Sequence, residues 1–98
     1  MLLLIPVDKK DYANANIARI DEKKAWVTIK MDNGYIEKYS FYDNRDDIED
    51  FVDYLIIKDK NDDIEEFLDD GIDVLIAPFQ NDIEEIIEAY KFKELHEI

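Results

Sequence analysis

The chain has 98 residues, which is enough for one compact domain and too few for two. Hydrophobic residues make up 47% of it, so it can bury a core, and its net charge of −14 disfavours binding to the phosphate backbone of nucleic acids. It contains no cysteine, which excludes disulfides, thiolate nucleophiles and thiolate-held metal clusters.

The acidic side chains number 26, and more than half of them lie between Asp43 and Asp73. The simpler interpretation is a solvated acidic face that keeps the protein soluble. The alternatives are an acidic surface for docking a protein partner and a nucleic-acid mimic. The N-terminal apolar run is too short for a signal-peptide core, and no stretch approaches transmembrane length. We therefore expect a cytoplasmic protein that does not bind membranes.

The first predicted element is the strand Leu2–Val7, an unbroken apolar run followed by Asp8. Because its residues do not alternate, it suits a central strand covered on both faces. The run Asp73–Ala77 has the same character. If the two strands are parallel, their carboxyl ends share the sheet edge at which open α/β sheets bind ligands. The polar stretch from Asp8 to Lys24 would lie over that edge.

A hairpin follows. Ala25–Met31 alternates between two faces, and Asn33-Gly34 connects it to a second strand, Tyr35–Tyr42. Asn-Gly favours a type I′ turn because both central residues need positive φ. A two-residue loop predicts three cross-strand pairs on one face: Lys30 with Glu37, Thr28 with Tyr39, and Trp26 with Phe41.

Three later stretches have the apolar spacing of helices. The first runs from Arg45 to Asp53, with a cap at Asn44 and the stripe Ile48, Phe51, Val52 and Leu55. The second has Asp62 and Glu65 as a capping box, Gly71 as its stop, and the stripe Ile64, Phe67 and Leu68. The third has Asn81 and Glu84 as its capping pair and the stripe Ile83, Ile86, Ile87 and Tyr90.

Two more strands complete the predicted sheet. Tyr54–Lys58 is an apolar run between the first two helices, and Lys91–Ile98 is predicted as a final edge strand. Right-handed crossovers place Tyr54–Lys58 and Asp73–Ala77 beside the first strand, and the hairpin extends the other side. The predicted fold is one α/β domain, residues 1–98, with a mixed sheet and helices on its faces.

Three parts of the chain resemble the dinitrogenase iron-molybdenum cofactor biosynthesis family, small domains similar to NifX and to the C-terminal part of NifB. They are Leu4-Ile5-Pro6-Val7-Asp8, the hairpin Ala25–Asn44, and the segment from Ile64 to the end. The resemblance implies a ribonuclease H-like three-layer fold with a mixed sheet. It also implies a role in binding or carrying an iron–sulfur–molybdenum cluster, or a precursor of one.

The sequence departs from that family at the places where a cluster would bind. Arg19-Ile20-Asp21 stands where the family has a His-Phe-Gly motif, so the cluster-ligating His is replaced by an Arg that cannot ligate a metal. Pro78-Phe79-Gln80-Asn81 replaces a glycine-rich turn, although backbone amides can still gather at the N-terminus of the third helix. Arg45–Asp63 resembles an insertion. We expect the fold to carry over and the cluster chemistry to be lost.

The candidate ligand-binding residues are those expected at the carboxyl edge of the sheet: Asp8, Asn14, Asn16, Arg19, Phe79, Gln80 and Asn81. Arg19 can pair with an anionic group, and Phe79 can form an apolar wall. The simpler interpretations are that Asp8 caps the loop after the first strand and that Phe79 anchors a loop.

No catalytic residue or metal ligand is predicted. His96 is the only histidine and fits an exposed position near the end of the sequence, and Ser40, the only serine, lies within the hairpin. Ribonuclease H-like nucleases bind metal ions through acids at strand ends and one acid on a helix, and a similar placement is expected here for Asp8, Asp59 and Glu49. The alternative function is therefore a metal-dependent phosphodiester hydrolase.

We therefore predict a non-enzymatic binding or carrier-type domain with no cofactor of its own. Its partner is an unknown small ligand or a protein, and we expect a monomer or homodimer that does not bind nucleic acid. We prefer a binding domain to a nuclease because of the charge of the chain. A nuclease needs a basic surface for its substrate, and this chain has only two arginines, Arg19 and Arg45.

Overall fold

A computed structural model describes all residues from 1 to 98, and the strand Leu2–Val7 (β1) lies inside its six-stranded sheet. The strands in sheet order are Tyr35–Tyr42 (β3), Ala25–Asp32 (β2), β1, Tyr54–Ile57 (β4), Asp73–Ile76 (β5) and His96–Glu97 (β6). Strands β1, β4 and β5 are parallel, whereas β2, β3 and β6 pair antiparallel with their neighbours. The predicted mixed α/β sheet with a central first strand is therefore confirmed.

Every side chain of β1 is buried, as expected for a strand covered on both faces. Leu3, Ile5 and Val7 belong to one core cluster and Leu2 and Leu4 to the other. The helix Ile83–Lys91 (α2) covers the first face, and the short helix Glu65–Asp69 (α1) covers the second. The result is three layers, helix on sheet on helix. Neither helix is long and apolar enough to cross a membrane.

The hairpin turn is confirmed, but the predicted register is wrong. Asn33 and Gly34 have φ of 52° and 83°, the positive values that a type I′ turn requires. A bulge then adds one residue, Glu37, to β3. The observed pairs are Trp26 with Tyr42, Thr28 with Ser40, and Lys30 with Lys38. Lys30 and Glu37 remain 3.7 Å apart as an ion pair, but Phe41 moves to the opposite face from Trp26.

The predicted helix Arg45–Asp53 is wrong, because only a 3₁₀ turn, Arg45–Asp47, forms there. The rest of the segment is not helical and runs toward β1. The amide of Asp53 donates to the carbonyl of Leu2 at 2.9 Å, and its carboxylate accepts from the Leu2 amide at 2.7 Å. Val52 is buried while Phe51 is 68% exposed, so the predicted stripe is split. Backbone pairing with the central strand outweighs the weak propensity of a short, acid-rich helix.

Helix α1 begins at Glu65 with Ile64 as its N-cap, so the predicted Asp62–Glu65 capping box does not form. Leu68 is 50% exposed and Phe67 is the helix's buried residue. The predicted stop at Gly71 is confirmed. Its φ is 78°, and its amide donates to the Leu68 carbonyl at 3.0 Å.

Helix α2 has the predicted buried residues Ile83, Ile86 and Ile87, with Tyr90 partly buried. Its capping box is Asp82 with Glu85, one residue beyond the predicted pair Asn81 and Glu84. The helix continues through Lys91, which is why the predicted strand Lys91–Ile98 shrinks to the two residues of β6. That short strand does lie at the sheet edge, as predicted. The other predicted strands match the structure to within one residue.

Candidate functional site

The carboxyl ends of β1, β4 and β5 meet at one edge of the sheet, and the segment Asp8–Lys24 crosses this edge. The segment is not a free loop. Ile17 bridges to Val7 and Asn16 bridges to Asp82, just before α2. Ala15 and Ile17 are buried in the core. The crossing segment is therefore fixed between the central strand and the start of α2.

Three of the predicted ligand-binding residues, Asp8, Asn16 and Asn81, come together in this anchor. The Asp8 carboxylate accepts from the Asn16 amide at 2.8 Å, and the Asn81 carbonyl accepts from the Ile17 amide at 2.7 Å. The Asp8 amide also donates to the Asn16 carbonyl at 3.0 Å. Asp8 thus has the loop-capping role of the simpler sequence interpretation.

The N-terminus of α2 would be the natural place for an anion, because its first amides lack partners within the helix. Here two carboxylates of the protein, from Asp82 and Glu85, lie at that end of the helix. The Glu85 carboxylate accepts from the amides of Asn81 at 3.3 Å and Asp82 at 3.2 Å. Asp82 in turn accepts from the Glu85 amide at 2.8 Å, which completes the capping box. An external anion at this end of the helix would meet the carboxylates of Asp82 and Glu85.

Arg19 lies among acids at the end of β4. Its guanidinium is 3.2 Å from Asp21, 3.7 Å from Glu22 and 3.9 Å from Asp59. The hydrogen bond to Asp21 is the main cause that raises the pKa of Arg19 above its ordinary value. The positive charge predicted to meet an anionic ligand is therefore already compensated within the protein.

Asp62 is the buried acid of this region, with only 6% of its surface exposed. Its Oδ1 accepts from the Ile20 amide at 3.1 Å, and its Oδ2 has no hydrogen-bond partner. Loss of hydration on burial raises the pKa of Asp62, and the nearby Asp59 and Asp21 add to the rise. Asp62 therefore holds the crossing segment to the loop after β4 at an electrostatic cost.

A crevice of about 510 Å³ opens beside Arg19. Its charged lining consists of this one arginine and five acids: Asp21, Asp63, Glu65, Glu66 and Asp69. The negative potential of such a lining repels anions and attracts cations.

Of the seven predicted ligand-binding residues, only Arg19 lines this crevice. The Asn14 amide group donates to Asp11 at 2.8 Å. Gln80 accepts from the Phe79 amide at 3.4 Å. Phe79 is 80% exposed, and its ring meets the ring of exposed His96 edge-on, with centroids 6.4 Å apart. The seven predicted residues are thus spread over several places along the edge and do not form one pocket.

The acids proposed for the alternative, a metal-dependent hydrolase, are not arranged as that hypothesis requires. Glu49 does not lie on a helix, and it lines a different surface hollow together with Arg45 and Phe51. No group of three or more His, Asp or Glu side chains converges as a metal site would need.

Solved structures with this fold include a candidate dinitrogenase from Methanocaldococcus jannaschii. Its crystal structure is 15% identical in sequence, covers 100% of this chain and 94% of its own, and has a TM-score of 0.79. The NMR structure of a candidate NifB protein from Thermotoga is 19% identical, covers 98% of this chain and 91% of its own, and has a TM-score of 0.71. This chain has the fold of these proteins. It matches no protein-family model and no curated protein.

The fold agrees with the resemblance seen in the sequence, but the residues of the crevice do not fit an iron–sulfur–molybdenum cluster. Such clusters are held mainly by Cys thiolates, with His as an occasional ligand. The chain has no Cys, and its one histidine, His96, lies on β6. Arg19 and five acids line the crevice in place of ligands.

Two important residues of this edge were missed from the sequence. Asp62 was predicted to cap a helix, and no local signal reveals its bond to Ile20, which lies 42 positions away. The capping role of Glu85 could have been predicted. Asp82 and Glu85 have the spacing of a capping box, as do Asn81 and Glu84, the pair that was predicted.

Proposed function

We propose that this protein is a non-enzymatic binding domain of the carrier type. It shares its fold with the candidate dinitrogenase and NifB proteins, and its crevice accepts a cationic group in place of an anionic metallocluster. The observation that carries the proposal is the position of Glu85. Its carboxylate accepts from the amides of Asn81 and Asp82 beside the N-terminus of α2, so an anionic cargo at this end of the helix would meet a negative charge.

The charge of the crevice supports the same conclusion. Five acids face a single arginine, and that arginine is compensated by Asp21, Glu22 and Asp59. A cation entering the crevice gains attraction from several carboxylates at once, whereas a sulfide-rich cluster meets repulsion. The ligand is therefore a small molecule or a protein segment with ammonium or guanidinium groups.

Reconstitution tests the cluster part of the proposal. The protein is incubated anaerobically with ferrous iron, sulfide and molybdate, desalted, and analysed for iron and molybdenum. We expect no stoichiometric metal after desalting in the wild-type protein or in the Arg19→His variant, because neither has a cysteine to hold a cluster. Stoichiometric iron or molybdenum in the wild-type protein would overturn the proposal.

A cationic probe tests the binding part. NMR titration with a tetralysine peptide is expected to shift amide signals around Ile20 and α1. The Glu65→Gln/Asp69→Asn variant removes two crevice charges and is expected to weaken binding more than Asp46→Asn/Asp47→Asn, which removes two charges elsewhere. Equal weakening by the two variants would show non-specific attraction to an acidic protein and would contradict the assignment of the crevice.

The proposal that the protein is not an enzyme has its own test. Mn²⁺ titration watched by calorimetry should give only weak, salt-sensitive association at several sites, with no cleavage of DNA or RNA. Tight binding that disappears in Asp8→Asn and Asp59→Asn, together with metal-dependent cleavage, would establish the hydrolase alternative instead.

A further inference from the structure

A second cavity, which we call the apolar cleft, opens at the opposite edge of the sheet from the acid-lined crevice. Its volume is about 680 Å³, within the range of small-molecule binding pockets. It lies between the tip of the β2–β3 hairpin, the first residue of β4 and the C-terminal end of α2. Seven of its twelve lining residues are hydrophobic. The cleft therefore differs in chemistry as well as in place from the crevice.

The floor and one wall of the cleft are apolar. Met31, Leu75 and Leu95 are buried beneath it. Tyr54 and Tyr90 line it with rings packed edge to face, 6.0 Å between centroids. Neither tyrosine hydroxyl makes a hydrogen bond within the protein, so both remain available to a ligand. An aromatic or aliphatic body can be buried here, with the hydroxyls as polar contacts.

The charged lining of the apolar cleft has the opposite balance from the rest of the molecule. Its charged side chains are Lys91, Lys93 and one acid, Glu97, and the ammonium group of Met1, which also lines the cleft, donates to the Met31 carbonyl at 3.2 Å. Neither lysine forms an ion pair within the protein, although acids outnumber basic residues by 26 to 12 in the chain. Two uncompensated ammonium groups beside an apolar floor suit a ligand with an apolar body and one negative group.

The backbone at Lys93 strengthens this argument. Its φ is 58°, in the left-handed region where the position after a helix usually has glycine. Asn33 is the only other non-glycine residue with positive φ, and it lies on the facing wall of the same cleft. The hairpin turn explains the positive φ of Asn33. The positive φ of Lys93 is instead a local backbone strain of the kind found at binding sites.

The backbone after α2 folds back on the C-terminal carbonyl groups of the helix, at the negative end of its dipole. The Lys93 amide donates to the Tyr90 carbonyl at 3.1 Å, and the Glu94 amide donates to the Ala89 carbonyl at 2.8 Å. These bonds satisfy two of the last carbonyl groups of the helix, which reduces the partial negative charge at its C-terminal end.

We propose that the apolar cleft binds an amphipathic carboxylate, a small molecule with an aromatic or aliphatic body and a single carboxylate group. The body packs on Met31, Leu75 and the two tyrosine rings, and the carboxylate pairs with Lys91 and Lys93. This site is independent of the acid-lined crevice and of the ligand proposed for it.

Matched naphthyl probes test the proposal by NMR titration of the whole chain. 2-Naphthylacetate carries the carboxylate, and 2-(2-naphthyl)ethanol is its neutral counterpart. We expect the acid to shift the amide signals of Met31, Leu75 and Leu95 and to bind about tenfold more tightly than the alcohol. The Lys91→Gln/Lys93→Gln variant is expected to lose that preference and to retain the weaker binding of the alcohol.

The control variant is Lys58→Gln/Lys60→Gln, which makes the same change of charge away from the cleft and should keep the preference for the acid. Three results would each overturn the proposal. They are equal affinity for acid and alcohol in the wild-type protein, shifts confined to the region of Arg19, and an equal loss of preference in the two lysine variants. Absence of binding of either probe at millimolar concentration would do so as well.

Discussion

Replacing Asp62 by Asn should stabilise the protein at neutral pH. The carboxylate is buried, its Oδ1 accepts from the Ile20 amide, and its Oδ2 has no partner. Asn has nearly the same shape and keeps an oxygen for the Ile20 amide. It removes the buried charge together with the repulsion from Asp59 and Asp21, and it gives up the weaker attraction to Arg19.

The size of the effect follows from what is removed and what is kept. An unpaired buried polar group costs about 1–3 kcal/mol, and a charged one costs more than a neutral one. Because the bond to Ile20 persists, we expect a net gain of about 1 kcal/mol for Asp62→Asn, or about 4–8 °C in Tm for a domain of this size. Asp62→Ala leaves the Ile20 amide without its acceptor and should lose about 1–3 kcal/mol.

The gain should depend on pH in a defined direction. Burial raises the folded-state pKa of Asp62 above 3.8, so the native protein binds this proton more tightly than the unfolded chain does. The stabilising effect of proton binding at Asp62 is therefore fully present below pH 3.8 and is lost as pH rises through the folded-state pKa. Asn cannot titrate. The advantage of Asp62→Asn over wild type should therefore be small at pH 3 and reach its full size at pH 7.

Urea unfolding of wild type and variant at each pH measures the difference, because other titrations are common to both proteins and cancel. Asp69→Asn is the matched control, since it removes the same charge from an exposed position in the same region. The reasoning is refuted if Asp62→Asn is less stable than wild type at pH 7. It is also refuted if its gain equals that of Asp69→Asn or does not change between the two pH values.

Three further predictions concern single positions. Lys93→Gly should raise the stability by about 1 kcal/mol in thermal unfolding, because glycine relieves the positive φ, and it should weaken binding of 2-naphthylacetate; a lower Tm would show that the position is not strained. Asp82→Ala should cost about 1 kcal/mol in urea unfolding and Asn81→Ala much less; the reverse order would place the cap at Asn81. Arg45→Lys should cost about 0.5–1 kcal/mol, since the guanidinium stacks 4.2 Å from the Phe67 ring; no change would make that contact energetically neutral.

Much of the fold could be predicted from the sequence because its determinants are local. The unbroken apolar run Leu2–Val7 can be satisfied only inside a sheet covered on both faces, and it is the central strand. Asn33-Gly34 fixed the hairpin turn through positive φ, and the spacing of the isoleucines in α2 fixed its buried face. In each case neighbouring residues carry the whole signal.

Other features depended on contacts between distant residues. The register of the hairpin changed because Glu37 bulges out of β3, and Arg45–Asp53 failed to form a helix because Asp53 bonds to the backbone of Leu2. Asp62 has the local spacing of a helix cap, yet its carboxylate is used by Ile20 across the sheet edge. The start of a helix and the distant Ile20 amide compete for the same carboxylate. The sequence does not show that Ile20 lies close to Asp62 in the folded chain.

The candidate site divides in the same way. The composition indicated an acidic protein without thiolate ligands, and the order of the strands indicated the edge at which Asp8 and Arg19 would lie. Only the tertiary structure joined Asp62 to Ile20 and surrounded Arg19 with acids. Only the tertiary structure brought the hairpin tip against Lys91 and Lys93 to form the apolar cleft. Charge and local geometry are properties of short stretches of chain, whereas a cavity exists only where segments far apart in sequence pack against one another.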